Sequence, residues 1–386
     1  MRAKTPIRRR PIAVLSTLNH NIGDEFIRDG LLYMFRQIHD TTEHTFTIYN
    51  KHKPWTFFPS NHPAHWLYLA ASKVGFRAVK AMAFASRVPG SFFDQSRYII
   101  QSGTPVIWNR VEKNSEWGTC FWKTIVPRIS RHVPVFNLGG GACYPWNGKP
   151  DILRGADREF ADCMVSHSYL TTTRDPLAAK LLSEASGTSI LHYCCPALLA
   201  GQYHVSVSAP RKKFIVNFMT RAGHFDYLNE IDPAMWRHTF DTAIKQLDAA
   251  FDIVFLCHND MELAVARDNW PSHPAFYPRT TTEYFNLISG AYAGLVNRLH
   301  AAVGLAGLGI PSVAVGTDTR MLMTKRIGID TLFAPDVTAA ILSHHLRNLL
   351  ERRDETSAAL LRTREETLNC YMSLLRSKIS AAHPPL

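Results

Sequence analysis

"IAVLSTLNHNIGDEFIRDGLLYMFRQI" runs from residue 12 to residue 38. Its first part, Ile12–Ser16, is a short, continuous apolar run of the length of a buried strand. Its last part changes period. Ile27, Leu31, Met34, Phe35 and Ile38 recur on one face at helical spacing, with Asp24 and Glu25 in the first turn, where free backbone N–H groups favour acids. "NHNIGD" (19–24) is the turn between them, and "TFTIYN" (45–50) reads as a second strand. Strand, helix, strand is the opening of a parallel α/β sheet.

The alternation continues. "RYIIQSG" (97–103) and "VPVFNLGGG" (133–141) read as strands that each end in a glycine-bearing turn. "SHSYLTTTRDPLAAKLL" (166–182) passes from a strand-like threonine run through Arg-Asp-Pro into an apolar helix, with Pro176 suited to its first turn. "AGQYHVSVSAPRKK" (200–213) is polar, basic and short of apolar runs, and marks a boundary. A second series comes after it: strands "FIVNFMT" (214–220), "FDIVFLC" (251–257), "YAGLVN" (292–297) and "IPSVAVG" (310–316). Helices are expected over Trp236–Ala250, in "TTTEYFNLISGA" (280–291), after Arg298, and along the tail from Val337 to about Ile379. The fold class is therefore α/β, with two tandem domains of parallel sheet facing across a cleft. They are expected at 12–205 and 206–386, behind a poorly ordered basic tail over 1–11.

Composition narrows the function. The chain has 386 residues, 46% hydrophobic and 19% charged, enough for two globular domains. Its net charge of +11 suits an anionic ligand or a phosphate-rich surface. No basic motif is interleaved with aromatics, so nucleic acid is not an expected partner. Seven cysteines without a CxxC pair argue against a disulfide framework or a zinc site and fit a reducing compartment. No apolar run is long enough to span a membrane, and no signal-peptide core follows the basic N-terminus. A cytoplasmic location is expected, with peripheral contact at the inner face of a membrane left open. The Pro-rich segment 51–65 carries His52, His62 and His65, read as loop surface and not as a metal site. Residues 66–88 read as one helix with Lys73, Arg77 and Lys80 along a side. It either packs on the sheet or rests on an anionic membrane surface.

In open α/β sheets, ligands sit beyond the carboxyl ends of strands, where helix N-termini present free N–H groups. Four turns qualify: "NHNIGD", "NLGGGACY", "TTTRDP" and "VNRLHAAVG". The last delivers Arg298 and His300 to a helix rich in Ala and Gly, which can pack closely on its sheet. Arg298 offers a planar fork for carboxylate or phosphate, and His300 can donate a proton or hold a phosphoryl oxygen. The alternative is a satisfied core histidine beside an arginine paired with a nearby acid. Asp24 likewise reads either as a base or as a helix-start acid favoured by the dipole.

"NIGDEFIRDG", "TTRDPLAAKLL", "CPALL" and "LISGAYAGLVNRLHAAVGLAGLGIPSVAV", in that order over most of residues 12–330, resemble the polysaccharide pyruvyltransferase family. The resemblance implies two Rossmann-like domains arranged as in GT-B enzymes, phosphoenolpyruvate as donor substrate with no other cofactor, and a sugar or glycan acceptor that is free or lipid-linked. It places Arg174, Arg298, Leu299 and His300 at the donor. Asn21, Gly23 and Asp24, together with Gly140 of the glycine turn, then fall to the acceptor side of the cleft. The chain departs from the family pattern at "QSGTPVIWN" (101–109) and at Cys195-Pro196-Ala197. The reaction it implies joins pyruvate to two sugar hydroxyls as a cyclic ketal and releases phosphate, with His300 as acid or phosphate-stabilising group and Asp24 as base. A GT-B glycosyltransferase using a nucleotide sugar, and a non-catalytic carbohydrate-binding protein, are the competing readings.

Overall fold

The computed structural model describes residues 10–19, 21–39, 44–75, 85–111, 117–204, 212–223 and 231–382. Among the described residues, thirteen strands form two sheets in which every strand pair is parallel. The first sheet uses β1 (Ile12–Ser16), β2 (Phe46–Asn50), β3 (Ile99–Ser102), β4 (Pro105–Trp108), β5 (Val135–Cys143), β6 (Leu170–Thr173) and β7 (Leu191–His192). Its order is 2-1-3-5-6-7, with β4 beside the far end of β5. The second uses β8 (Lys213–Asn217), β9 (Asp252–Leu256), β10 (Ala275–Phe276), β11 (Ala293–Val296), β12 (Ser312–Gly316) and β13 (Asp330–Phe333), in the order 10-9-8-11-12-13. The strand order reverses at β1 in one sheet and between β8 and β11 in the other, and crevices open at such switch points.

Six helices shape the cleft, the shared core or the outer face of the first half: α1 (Ile22–Ile38), α2 (Pro63–Val74), α3 (Pro176–Ser186), α4 (Asp260–Asn269), α5 (Leu299–Gly307) and α6 (Arg353–Ala382). Helices α1 and α3 begin as their sequences suggest. Asn21 and Asp175 cap them by accepting from the N–H groups of Gly23 and Ala178, and Pro176 occupies the first turn of α3.

One core cluster is shared by both halves. It joins Ile12, Phe26 and Leu31 to Ala301 and Leu305, and takes in Tyr371, Leu375 and Ile379 from α6. The Phe26 ring meets Tyr284 at 4.8 Å and Phe285 at 4.9 Å between centroids. A hydrogen-bonded strap also links the sheets: Tyr144 and Thr319 exchange bonds of 3.0 and 2.9 Å, beside a bridge between Pro145 and Asp318.

Four expectations are revised. "NLGGG" does not end a strand: β5 runs through the three glycines to Cys143. Gly139 takes φ +68, and the register with β6 shifts between Asn137 and Gly140, so the glycines absorb a bulge and not a turn. Gly140 is buried inside the strand with Val106 2.9 Å from where a Cβ would sit, and it is not among the residues lining the cleft. The helix expected over 66–88 begins at Pro63 and stops at Val74, because Gly75 adopts φ +97. Arg77 and Lys80 lie outside the described residues, as does the tail over 1–9. The C-terminal helix is broken at Arg352, and α6 returns to the first half, where the Tyr371 hydroxyl donates to the Cys194 carbonyl at 3.4 Å.

Close approach across the shared core is the constraint on α1. A Cβ on Gly30 would lie 1.9 Å from the Pro196 carbonyl oxygen, a backbone atom that cannot rotate away. Gly30→Ala is expected to lower stability by about 1–3 kcal/mol, the usual range for overpacking. A urea midpoint equal to wild type would show that α1 is free to shift.

Candidate functional site

A cavity of about 760 Å³ opens between the carboxyl ends of the two sheets. The first sheet contributes Asn21, Asp24, Lys51, His52, Trp108 and Trp117. The second contributes Phe218, His258, Glu262, Arg298, His300 and Arg320. A small pocket shares Asn21, Arg298, His300 and Arg320 with this cavity and is closed by Leu299, Gly316 and Asp318.

His300 stands in the first turn of α5 and is buried. Its Nε2 lies 2.8 Å from Nη1 of Arg174, which comes from the other sheet. A guanidinium has only donors, so Nε2 must be the acceptor and the ring proton must sit on Nδ1. Burial first, then the charges of Arg174 and Arg320, hold the imidazole well below its ordinary pKa. His300 is therefore a neutral N–H donor at rest. A Cβ on Gly23 would be 2.7 Å from both Cβ and Nδ1 of His300. Only glycine lets the start of α1 close on this ring, and so the "NIGD" turn and the "RLHA" turn are in direct contact.

Arg174 is fully buried and is not among the cavity-lining residues. Its backbone N–H donates to the Gly140 carbonyl at 2.9 Å, and a Cβ on Gly141 would be 2.5 Å from its Nε. Its Nη2 is buried without a hydrogen-bond partner among the described residues. The structure thus brings Arg174 to His300 and sets it behind that ring, away from the open cavity. The neighbouring Asp175 accepts from Ala178 and Ala142 N–H groups, and burial pushes its carboxyl up to about 6.

Arg298 precedes α5, and its Nε and Nη2 both pair with one oxygen of Glu262. Burial alone would raise the Glu262 pKa, but the Arg298 charge and the hydrogen bonds from Arg298 and the His258 N–H outweigh it and hold the carboxylate below its ordinary value. Asn217 joins the same network: its Oδ1 accepts from the Arg298 N–H at 2.8 Å and its Nδ2 donates to Glu262 at 3.1 Å. His258, beside it, is pushed down to about 4 by burial and by Arg298. The reading of Arg298 as an arginine paired with a nearby acid is what the geometry shows. That pairing engages one edge and leaves Nη1 outside it. Leu299 is buried, next to Gly316. The Arg298 side chain does not cap α5; Asn217 takes the Arg298 N–H, and the Ala301 and Ala302 N–H groups bond the Arg298 carbonyl. The Leu299 and His300 N–H groups at this helix start face the pocket as donors for an anion.

Several lining residues were not singled out from the sequence. Arg320 pairs through Nε (2.8 Å) and Nη2 (2.6 Å) with Asp318, which raises its pKa. "GTDTR" at the end of β12 held the signal, an Asx-type cap two residues before an arginine at a strand's carboxyl end. Lys51 follows β2, donates to Thr104 at 2.8 Å and lies 5.4 Å over the Trp117 ring. His52, read as loop surface, lines the cleft instead. His62 caps α2 and His65 bonds the Phe58 carbonyl. No group of three or more potential metal ligands occurs among the described residues.

Solved structures with the same architecture span the full chain. The S. aureus MnaA–UDP co-structure aligns with a TM-score of 0.54 at 12% identity, covering 95% of this chain and 97% of that one. A putative UDP-N-acetylglucosamine 2-epimerase from Listeria monocytogenes gives 0.56 at 10% identity, covering 98% of both chains. The α,α-trehalose 6-phosphate synthase of Burkholderia multivorans gives 0.54 at 11% identity, covering 97% and 98%. At these identities the likeness defines the fold, which is that of GT-B enzymes. Within that fold the chain belongs to the polysaccharide pyruvyl transferase family, whose model matches residues 21–319 and so takes in both the Asn21 turn and the Arg298–His300 segment. No curated protein matches the chain.

The geometry makes His300 neutral through the physiological range. Its ring resonances should titrate well below the range of an ordinary imidazole, about 6.5. Arg174→Met removes both a cation and the donor to Nε2, so it should move the His300 pKa upward. Wild-type titration near the ordinary value would contradict the buried Arg174–His300 pair.

Proposed function

We propose that this transferase moves the pyruvyl group of phosphoenolpyruvate onto two hydroxyls of a sugar, forming a cyclic ketal and releasing phosphate. The observation that carries the reading is the convergence of Arg174, Arg298 and Arg320 on one buried neutral imidazole in the first turn of α5. Arg298 and Arg320 each keep one edge outside their carboxylate pairs, and Arg174 adds positive charge behind the ring, which suits a compact anion. Phosphoenolpyruvate carries a phosphate and a carboxylate on a three-carbon frame and meets that requirement.

In this scheme the donor's phosphate sits against the first-turn amides of α5. The Nη1 edges of Arg298 and Arg320, which stand outside their pairs with Glu262 and Asp318, complete its binding. His300 keeps its single proton on Nδ1, because Nε2 is filled by the Arg174 N–H, and donates that N–H to a phosphate oxygen, steadying the leaving phosphate. The methylene carbon takes a proton from solvent in the cavity. The C2–C3 π pair becomes the new C–H bond and C2 becomes electrophilic. One sugar hydroxyl then bonds to C2 while Asp24, in the first turn of α1, takes its proton. The C2–O bond to phosphate breaks, phosphate leaves with the bonding pair, and the second hydroxyl bonds to C2 to close the ketal, its proton passing to the departing phosphate. Trp108 and Trp117 on the Asp24 side offer aromatic faces for the sugar.

A nucleotide-sugar reading is disfavoured by Glu262. A carboxylate that grips a ribose must be available, and this one is held by Arg298, Asn217 and the His258 N–H.

The test measures phosphate released from phosphoenolpyruvate across a panel of free and lipid-linked sugars, with mass analysis of the product. His300→Ala should lower turnover by about 10²–10³, the usual worth of a preorganised donor to a developing anion, with an unchanged melting profile. Full turnover in that variant removes His300 from the chemistry. Nucleotide release from a nucleotide sugar, or sugar binding without any affinity for phosphoenolpyruvate, would replace the proposal.

A further inference from the structure

Helix α2 has two apolar faces. Ala64, Tyr68 and Ala71 are buried, and the Tyr68 hydroxyl accepts from Ser86 at 2.8 Å, so this face is fixed to the first domain. Across the helix, Pro63, Trp66, Leu67, Ala70 and Val74 form an outward stripe at helical spacing. Trp66 is 59% exposed, Leu67 44% and Val74 83%. A helix that is apolar all round normally lies in a core, and an exposed apolar stripe on a soluble face marks a docking surface.

The surrounding charge says what it docks on. From Lys51 to Phe93 the chain contains six Lys and Arg residues and no Asp or Glu. With 32 acids in 386 residues, a stretch of this length would ordinarily hold three or four. Lys53, Lys73 and Arg87 of this segment are exposed. A tryptophan and aliphatic stripe flanked by lysine, with acids excluded from the whole segment, is the pattern of a helix lying in the interface of an anionic bilayer. Lys51 and His52, at the start of this same segment, line the first-sheet wall of the cleft.

We propose that the outward face of α2 docks the protein on an anionic lipid surface, bringing the first-sheet wall of the cleft to acceptors held on that surface. Docking does not depend on the donor chemistry, because it is read without turnover.

Sedimentation of the full chain with lipid vesicles tests it. Wild type should bind vesicles of phosphatidylcholine containing about one-third phosphatidylglycerol, bind pure phosphatidylcholine vesicles far less, and release as salt is raised. Trp66→Ser combined with Leu67→Ser should weaken binding by on the order of 10-fold or more, with an unchanged thermal midpoint. Lys73→Glu, a single exposed change, should weaken it in the same direction. Equal binding of wild type and the double variant, or no preference for the anionic vesicles, overturns the proposal. So does a wild-type dimer that the double variant converts to monomer, because the stripe would then be covered by a second copy.

Discussion

The hydrogen bond from Arg174 to His300 Nε2 joins residues 126 positions apart and two separate sheets. Much of the local sequence on both sides is explained by it. Gly141 leaves room for the guanidinium and Gly23 leaves room for the imidazole, so two glycines from distant motifs serve one contact. The bond also selects the imidazole tautomer, and with it which ring nitrogen carries the proton. A buried charge without that contact would be costly to hold, so the relative placement of the two halves and the protonation of the ring are set together.

Around this bond the protein balances charge without cancelling it. Arg298 and Arg320 are each held by one carboxylate, Glu262 and Asp318, both buried. Those pairs keep the arginines rigid before any ligand arrives and leave part of each fork uncommitted. Among the described residues Arg174 has no carboxylate paired with it in this way, and one of its nitrogens is unsatisfied. The result is a pocket with excess positive potential whose donors need little rearrangement, which is how preorganised sites stabilise developing negative charge.

The alternation of short apolar runs with helical periods was enough to read two parallel α/β halves, and the two turns that meet at the cleft, "NIGD" and "RLHA", could be picked out. What could not be read was how those turns meet. Local spacing identifies a cap or a strand end, but the Gly23–His300 contact and the Arg174 bond arise from packing between distant segments. Arg174 shows the limit well: as a residue type it suits an anion clamp, yet burial places it behind the imidazole. The glycines misled in both directions. Gly139–Gly141 look like a turn and form a bulge within β5, while Gly75 looks like a tolerated helix residue and ends α2 through its positive φ. Arg320 and Lys51 were legible in principle, since each follows a strand's carboxyl end. Only the strand order shows that those ends converge.

The route of α6 has a consequence for the nascent chain. Tyr371, Leu375 and Ile379 belong to the same apolar cluster as Ile12 and Val14 of the first strand. During synthesis the first sheet therefore emerges long before the helix that covers part of its core. Until that helix is released from the ribosome, an apolar surface around α1 and Pro196–Leu199 stays uncovered. The first half cannot reach its final packing as an independent unit, even though its strands are contiguous in sequence, and its completion waits for residues 353–382 to emerge.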